Sequence, residues 1–176
     1  MAQLTGSEIL AKALRNEGVN DLFFLMGGPM LAAEAATINE GIRCIDVRHE
    51  QAAAMMAQAY SRLQQRPGVC MAASGPATIN LSTGLANALI DCCPVVALGG
   101  ASPMLGNGKQ VFQEIDQMEI MSGCVKYAAR IYDARRIPEM LNVAIQKAMS
   151  GKPGPVYLDL PGDTLYQMVD EDAIDW

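Results

Sequence analysis

A chain of 176 residues is long enough for one domain with a sizeable core and too short for two ordinary domains. Hydrophobic residues make up 51% of the sequence and charged residues 18%, a balance typical of a globular protein rather than a disordered one. The net charge of −6 comes without any basic stripe, which argues against nucleic acid and anionic membranes as partners.

Targeting and redox signals in the sequence predict a cytoplasmic protein. Residues 1–8 contain no basic segment followed by an apolar one, so we expect no signal peptide. Gly, Pro, Asn or Asp interrupts every apolar run well before about 18 residues, so we expect no membrane span. The five cysteines are odd in number and lack CxxC spacing, and the chain has one histidine. This composition disfavours a Cys/His metal site and predicts small buried thiols in a reducing compartment.

From the N-terminus onward, apolar runs suited to buried strands alternate with stretches of helical periodicity. A capping box at residues 5–8 starts the first helix, which we expect to end at Gly18. The elements that follow are predicted, in chain order, at residues 22–26 (strand), 30–40 (helix), 44–47 (strand), 50–64 (helix), 69–73 (strand), 77–90 (helix), 95–98 (strand), 116–121 (helix), 127–131 (strand), 137–150 (helix) and 156–160 (strand). A loop is expected over residues 99–110, because Gly, Ser, Pro and Asn dominate that segment.

This alternation, with strands that are apolar throughout, predicts an α/β fold in which a six-stranded parallel sheet carries helices on both faces. The acidic and weakly periodic segment from Asp163 onward predicts either a linker or an edge segment. We therefore expect one domain over residues 1–165 and the start of an interdomain linker or tail over residues 166–176.

Glu50 is the titratable group best placed for chemistry. It lies where a short strand passes into a helix rich in alanine and methionine. Helices of small residues pack closely, so we expect the carboxylate to lie in a poorly hydrated place, where it needs a partner. The local pattern alone favours a purely structural role, because an acid at a helix start satisfies free N–H groups without any further function.

Turns that follow the predicted strands form the remaining candidate site, because ligands bind beyond the carboxyl ends of the strands in an open parallel sheet. These turns are at residues 27–29, 49–50 and 74–76, together with the loop over 99–113. Neither GxGxxG nor GxxxxGK[ST] occurs in them, which disfavours a dinucleotide or P-loop site. No GxSxG elbow is present either, so a serine hydrolase triad is not expected.

Short motifs follow one another in a specific order over almost the whole chain. They are Gly-Gly-Pro at 27–29, Arg-His-Glu-Gln-Ala-Ala at 48–53, Ser-Gly-Pro at 74–76 with Asn80, Pro-Val-Val at 94–96, Phe-Gln-Glu-x-Asp at 112–116 and Gly-Pro-Val-Tyr-Leu-Asp-Leu-Pro at 154–161. In this order and spacing they resemble the pyrimidine-binding (Pyr) domain of thiamine-diphosphate enzymes, over about residues 3–165. In pattern the chain is most similar to acetolactate synthase, oxalyl-CoA decarboxylase and 2-hydroxyacyl-CoA lyase.

The resemblance implies that Glu50 is the acid that hydrogen-bonds N1′ of the cofactor's aminopyrimidine ring. A carboxyl group held there in a low-dielectric pocket favours the imino tautomer of the ring, which then removes the proton from the thiazolium C2. The implied activity is that of a lyase, carboligase or decarboxylase acting on 2-keto acids or 2-hydroxyacyl-CoA-type substrates.

The resemblance also implies cofactor contacts in two turns. Gly27, Gly28 and Pro29 match a turn close to the thiazolium and the substrate, although a strand-to-helix turn can need glycine without any such role. Ser74 and Asn80 match cofactor-binding positions. This chain has Ser-Gly-Pro-Ala-Thr-Ile-Asn where the family commonly has Ser-Gly-Pro-Gly-Ala-Thr-Asn, so it lacks one glycine and its hydroxyl is shifted.

Phe112 and Gln113 match a loop that reaches the active site of the neighbouring subunit. Gln113 would face the substrate there as a hydrogen-bonding group, and a plain surface glutamine is the alternative. His49 adjoins Glu50, but strand alternation directs the two side chains apart, so we expect a structural role for it.

No motif in the chain matches the Gly-Asp-Gly segment with which the family holds the diphosphate and a divalent metal; Gly162-Asp163-Thr164 does not fit it. The resemblance therefore implies that a second, diphosphate-binding domain completes the site for thiamine diphosphate and Mg²⁺. That domain is expected in the same longer polypeptide, or else in another subunit, as in two-subunit 2-keto acid decarboxylases. A homodimer or homotetramer is implied, and FAD is possible without support from this chain.

Two further hypotheses remain open. The first is a non-catalytic structural or dimerisation module of the same fold that retains Glu50 by ancestry. The second is an unrelated doubly wound small-molecule binder, which the missing phosphate motifs disfavour.

Overall fold

Apolar runs form the strands of a six-stranded parallel sheet in the computed structural model, which describes residues 2–176. The strands are β2 (Asp21–Leu25), β3 (Arg43–Asp46), β4 (Gly68–Ala72), β5 (Val95–Ala101), β6 (Tyr127–Arg130) and β7 (Val156–Pro161), numbered after a short first strand, β1 (Gln3–Thr5). Their spatial order is β3-β2-β4-β5-β7-β6. The central strands β4, β5 and β7 are buried along their whole length, whereas the edge strands β3 and β6 are only partly covered. The predicted fold class is confirmed.

Helices cover both faces of this sheet. One face packs against α1 (Gly6–Asn16), α2 (Leu31–Asn39), α7 (Ile137–Met149) and α8 (Gly162–Tyr166), and the other against α3 (Glu50–Gln64), α4 (Pro76–Asn80), α5 (Ser82–Ile90) and α6 (Gln117–Ser122). Successive residues of β4 alternate between the two cores, with Met71 in the first and Cys70 in the second. This alternation is what a strand buried on both sides requires. No helix within residues 2–176 combines the length and the apolar character needed to cross a bilayer.

The helix α3 packs unusually close to its neighbours because small residues line its inner face. Ala53, Ala54 and Ala57 are fully buried. On the facing helix, a Cβ atom added at Gly84 would lie 2.6 Å from the Cβ of Ala54. Close approach at this point brings the first turn of α3, where Glu50 lies, against the layer formed by α4 and α5.

Three predicted boundaries differ from the structure by more than one residue. The single helix expected over 77–90 is two helices, because the N–H of Leu81 bonds to the carbonyl of Thr78, three residues back, and tightens the chain there. The strand expected over 95–98 continues to Ala101, since its last residues pair with the end of β7. The loop predicted over 99–110 therefore begins at Ser102.

Residues 163–176 pack against the beginning of the chain. A short strand, β8 (Met168–Asp170), pairs antiparallel with β1. Val169 and Ile174 are buried in this segment, with 6% and 8% of their surface exposed. Lys12 of α1 adds an ion pair to Glu171. The capping box predicted at residues 5–8 is present at the same place, where the hydroxyl of Thr5 accepts from the N–H of Glu8.

Candidate functional site

Turns at the carboxyl ends of β2, β4 and β5 form a cleft of about 260 Å³. It is lined by Gly28, Pro29, Ser74, Ala101, Ser102, Pro103, Val111, Phe112 and Gln113. The cleft therefore brings together five of the residues that the sequence singles out, from three separate turns. Gly27 is not among the lining residues; it packs against Ala73, so that an added Cβ there would lie 3.1 Å from the Cβ of Ala73.

Ser74 and Gln113 are joined by a hydrogen bond inside this cleft. The hydroxyl of Ser74 donates to Oε1 of Gln113 at 2.9 Å. Gln113 has a φ of +60°, a conformation that is uncommon for residues other than glycine. Its neighbour Phe112 is 86% exposed and directs its ring outward. The loop that follows β5 thus places one polar side chain in the cleft and one aromatic ring on the surface beside it.

Glu50 is the first residue of α3, and it is buried, with 7% of its surface exposed. The side-chain N–H of Asn80, at the end of α4, donates to Oε2 of Glu50 at 2.9 Å. The partner that a buried carboxylate requires is therefore an amide, and no ion pair within residues 2–176 involves Glu50. The position at the helix start adds the favourable field of the α3 dipole.

The second carboxylate oxygen of Glu50 is left free. No donor in the described part of the chain bonds to Oε1, and this atom is not among the fully enclosed oxygens that lack a partner. Oε1 therefore retains some exposure, and Glu50 itself does not line the cleft. Asn80 fixes the carboxylate from one side and leaves the other oxygen free to accept a hydrogen bond from a bound molecule.

The segment from Ser74 to Asn80 links the cleft to Glu50. Ser74 lines the cleft, α4 starts two residues later at Pro76, and Asn80 ends that helix against Glu50. Between them Gly75 has a φ of +59°, and an added Cβ atom would lie 2.3 Å from the carbonyl oxygen of Gln113. Only glycine fits this turn, because both the backbone conformation and the available space exclude a side chain.

A buried polar cluster beneath the cleft was not predicted. It consists of the buried residues Gln117, Tyr157 and Asp159 and the half-buried Arg130, which are connected by hydrogen bonds and by an ion pair between Arg130 and Asp159. Burial, and next the Asp159 carboxylate, raise the pKa of the Tyr157 hydroxyl well above its ordinary value, so that it remains a donor. One signal was available, because an aspartate inside the apolar run 156–160 requires a buried partner. No pattern in the sequence marks Gln117.

His49 has the structural role expected for it. Its Nδ1 atom accepts the N–H of Gln51 at 3.2 Å and so caps the N-terminus of α3, with an exposed side chain. Within residues 2–176, no group of three or more His, Cys, Asp or Glu side chains is arranged to hold a metal ion.

A buried acid at a helix start and turns at the carboxyl edge of a doubly wound sheet are features typical of α/β domains that bind ligands. Comparison with known families is more specific. The model described as "Thiamine pyrophosphate enzyme, N-terminal TPP binding domain" matches residues 4–120. The chain belongs to this family, and the matched range contains Glu50 and the cleft turns.

Curated relatives agree with the resemblance in the motifs. The chain is 38% identical over 175 residues to acetolactate synthase isozyme 2 large subunit of Escherichia coli (strain K12), covering 98% of this chain and 31% of the relative. It is 40% identical over 165 residues to acetolactate synthase 2, chloroplastic, of Nicotiana tabacum, covering 93% and 25%. It is 34% identical over 172 residues to 2-hydroxyacyl-CoA lyase 1 of Homo sapiens, covering 98% and 30%. The chain thus spans about a quarter to a third of the length of these relatives.

Proposed function

We propose that this chain is the pyrimidine-binding part of a thiamine-diphosphate-dependent lyase, carboligase or decarboxylase. Its substrates would be 2-keto acids or 2-hydroxyacyl-CoA-type compounds, as the names of the relatives suggest. The observation that carries the proposal is the state of Glu50, a buried carboxylate with one oxygen held by Asn80 and the other free. A group in that state is suited to bind a ring nitrogen of the aminopyrimidine.

The surroundings of Glu50 support this role. The hydrogen bond from Asn80 limits rotation of the carboxylate, so the free Oε1 is pre-oriented toward an incoming donor. Burial strengthens a charge-assisted hydrogen bond made to that oxygen, because little water competes for it. When bound, thiamine diphosphate supplies a thiazolium carbon that adds to a carbonyl and accepts the electron pair of the breaking C–C bond.

The cleft supports a substrate site next to that ring. Gly28 and Pro29 line one wall of the cleft without long side chains, which supports their proposed contacts to the thiazolium; the contact proposed for Gly27 has no such support, because Gly27 does not line the cleft. The Oε1 atom of Gln113 is bonded to Ser74, which leaves the side-chain N–H groups to donate to a carbonyl or carboxylate oxygen of the substrate. The exposed ring of Phe112 would contact the substrate or an adjoining subunit.

The diphosphate and Mg²⁺ would be held by a domain outside this chain. The length of the relatives supports a diphosphate-binding domain in the same longer polypeptide, with a separate subunit as the other arrangement. A homodimer or homotetramer is supported by large apolar side chains exposed on α3 and α5, namely Met55, Met56, Leu63 and Ile90. Five free cysteines support a reducing, cytoplasmic location. Nothing in this chain supports a role for FAD.

Replacing the acid tests the proposal in the assembled enzyme, that is, this chain joined to its diphosphate-binding domain. Glu50→Gln should lower kcat by roughly 10²–10⁴-fold, because an amide cannot give up and take back the proton that the ring nitrogen carries in the imino tautomer. The matched control is Glu139→Gln, which makes the same exchange in the first turn of α7 at an exposed position. It should retain wild-type kcat. Equal activity of Glu50→Gln and Glu139→Gln would refute the role proposed for Glu50.

A further inference from the structure

Gln117, the first residue of α6, is buried and uses both ends of its side-chain amide. Its Oε1 accepts the backbone N–H of Gly75 at 2.9 Å. Its Nε2 donates to the carbonyl oxygen of Gly100 at 2.8 Å and to Oδ1 of Asp159 at 2.6 Å. One side chain therefore connects the turn after β4 to the ends of β5 and β7.

The donors and acceptors around the side-chain amide of Gln117 determine which way it is oriented. Asp159 has no exposed surface, and its carboxylate can only accept hydrogen bonds. Tyr157 donates its hydroxyl to Oδ1, and Arg130 pairs with Oδ2. Only the Nε2 end of Gln117 can therefore face Asp159. Its Oε1 end must face outward to the turn, where the N–H of Gly75 meets it.

The turn that Gln117 holds is the one on which the cleft depends. Gly75 packs directly against the carbonyl of Gln113, so a shift of the turn displaces both. Ser74, one residue earlier, bonds to the side chain of Gln113 at 2.9 Å. The amide of Gln117 thus determines, through a single hydrogen bond to Gly75, the relative position of the two polar groups in the cleft.

We propose that Gln117 is a positioning residue for the reaction: it anchors the Ser74–Gly75 turn to the strand ends, so that Ser74 and Gln113 meet the substrate in a fixed geometry. This inference rests on the proposed function. Gln117 does not line the cleft that contains Gln113; it lines an adjoining cleft of about 230 Å³, and its hydrogen bond to Gly75 is what connects it to Ser74 and Gln113.

The test replaces Gln117 by a side chain of similar length without hydrogen bonds, in the assembled enzyme with its diphosphate-binding domain. Gln117→Met should lower kcat by roughly 10²-fold, the effect of a small displacement of positioning groups, while Glu50 still binds thiamine diphosphate. The matched control is Gln58→Met. Gln58 is 6% exposed, and its amide is bonded to Asp91 and Asn87 between α3 and α5. This control loses equivalent buried hydrogen bonds and should keep wild-type kcat.

Hydrogen exchange at the Gly75 amide gives a second readout, which does not depend on activity. In the wild-type assembly this amide should be protected, because exchange requires its bond to Gln117 to open. In Gln117→Met the protection should be lost, while amides of β4 keep theirs.

The outcomes separate the two proposals. A wild-type Gly75 amide that exchanges like an exposed loop, or a Gln117→Met enzyme with wild-type kcat, overturns the role of Gln117. A wild-type assembly that neither binds thiamine diphosphate nor turns over any substrate overturns the proposed function, and the positioning role in catalysis with it. Loss of kcat in Gln58→Met equal to that in Gln117→Met also overturns the inference, because any buried glutamine would then have the same effect.

Discussion

Two glutamates are buried in the first turns of helices on opposite faces of the sheet, and their surroundings differ. Glu50 on α3 has Asn80 as a partner and one free oxygen. Glu34 on α2 is 2% exposed, and neither of its carboxylate oxygens has a partner within residues 2–176. Burial, and next the charge of Asp46, raise the pKa of Glu34 to about 7. The first arrangement suits ligand binding, and the second makes stability depend on pH.

The pH dependence due to Glu34 has a definite sign. Between the ordinary glutamate pKa of 4.5 and about 7, the folded state keeps the proton that the unfolded state releases. The free energy of unfolding therefore falls as pH rises through this window and is level above it. Glu34→Gln cannot ionise, so its free energy of unfolding should rise relative to that of wild type by about 2–3 kcal/mol between pH 5 and pH 8. Urea denaturation at both pH values measures this.

The surface variant Glu119→Gln is the control for Glu34→Gln. It removes a glutamate carboxylate from an exposed position, so the free energy of unfolding should change between pH 5 and pH 8 as it does in wild type. An identical pH profile for wild type and Glu34→Gln would show that Glu34 does not titrate in this window.

At the scale of elements, the local sequence pattern predicts whether a segment is a helix or a strand. It fails where contacts with residues far away in the chain determine where an element ends. The capping box at residues 5–8 and the alanine-rich α3 are confirmed, because both depend on near neighbours in the chain. The break at Leu81 and the extension of β5 to Ala101 depend on packing and on pairing with β7, which no single segment specifies. The three-residue strands β1 and β8 are too short to produce a pattern of their own.

The packing of α3 against α5 gives a prediction at this scale. Gly84→Ala would place a Cβ atom 2.6 Å from that of Ala54, so the helices must separate. The free energy of unfolding should fall by about 1–3 kcal/mol, the usual cost of overpacking. Gly123→Ala is the matched control. Gly123 has a φ of −75° and no atom closer than 3.7 Å to an added Cβ, so stability should be unchanged or higher. Denaturation midpoints of the two variants, compared with that of wild type, measure these effects. A Gly84→Ala protein as stable as wild type would contradict the close contact between α3 and α5.

For the whole molecule, alternation of strands and helices predicts a parallel sheet, and the carboxyl edge of that sheet predicts where a site lies. The spatial order of the strands, β3-β2-β4-β5-β7-β6, cannot be derived from the alternation of strands and helices. The sequence motifs name Glu50, Asn80 and the cleft turns, and the structure adds how they are held. The contacts of Gln117 join residues 42 positions apart in the chain, beyond the reach of any local pattern.

The central claim is that this domain binds one end of thiamine diphosphate through Glu50 and requires a second domain to bind the other end. Calorimetric titration of thiamine diphosphate measures this directly, for the chain alone and for the chain joined to its diphosphate-binding domain, each with and without Mg²⁺. We predict weak or no binding to the chain alone and tight, Mg²⁺-dependent binding to the joined protein. A joined protein that does not bind thiamine diphosphate in the presence of Mg²⁺ would contradict the claim.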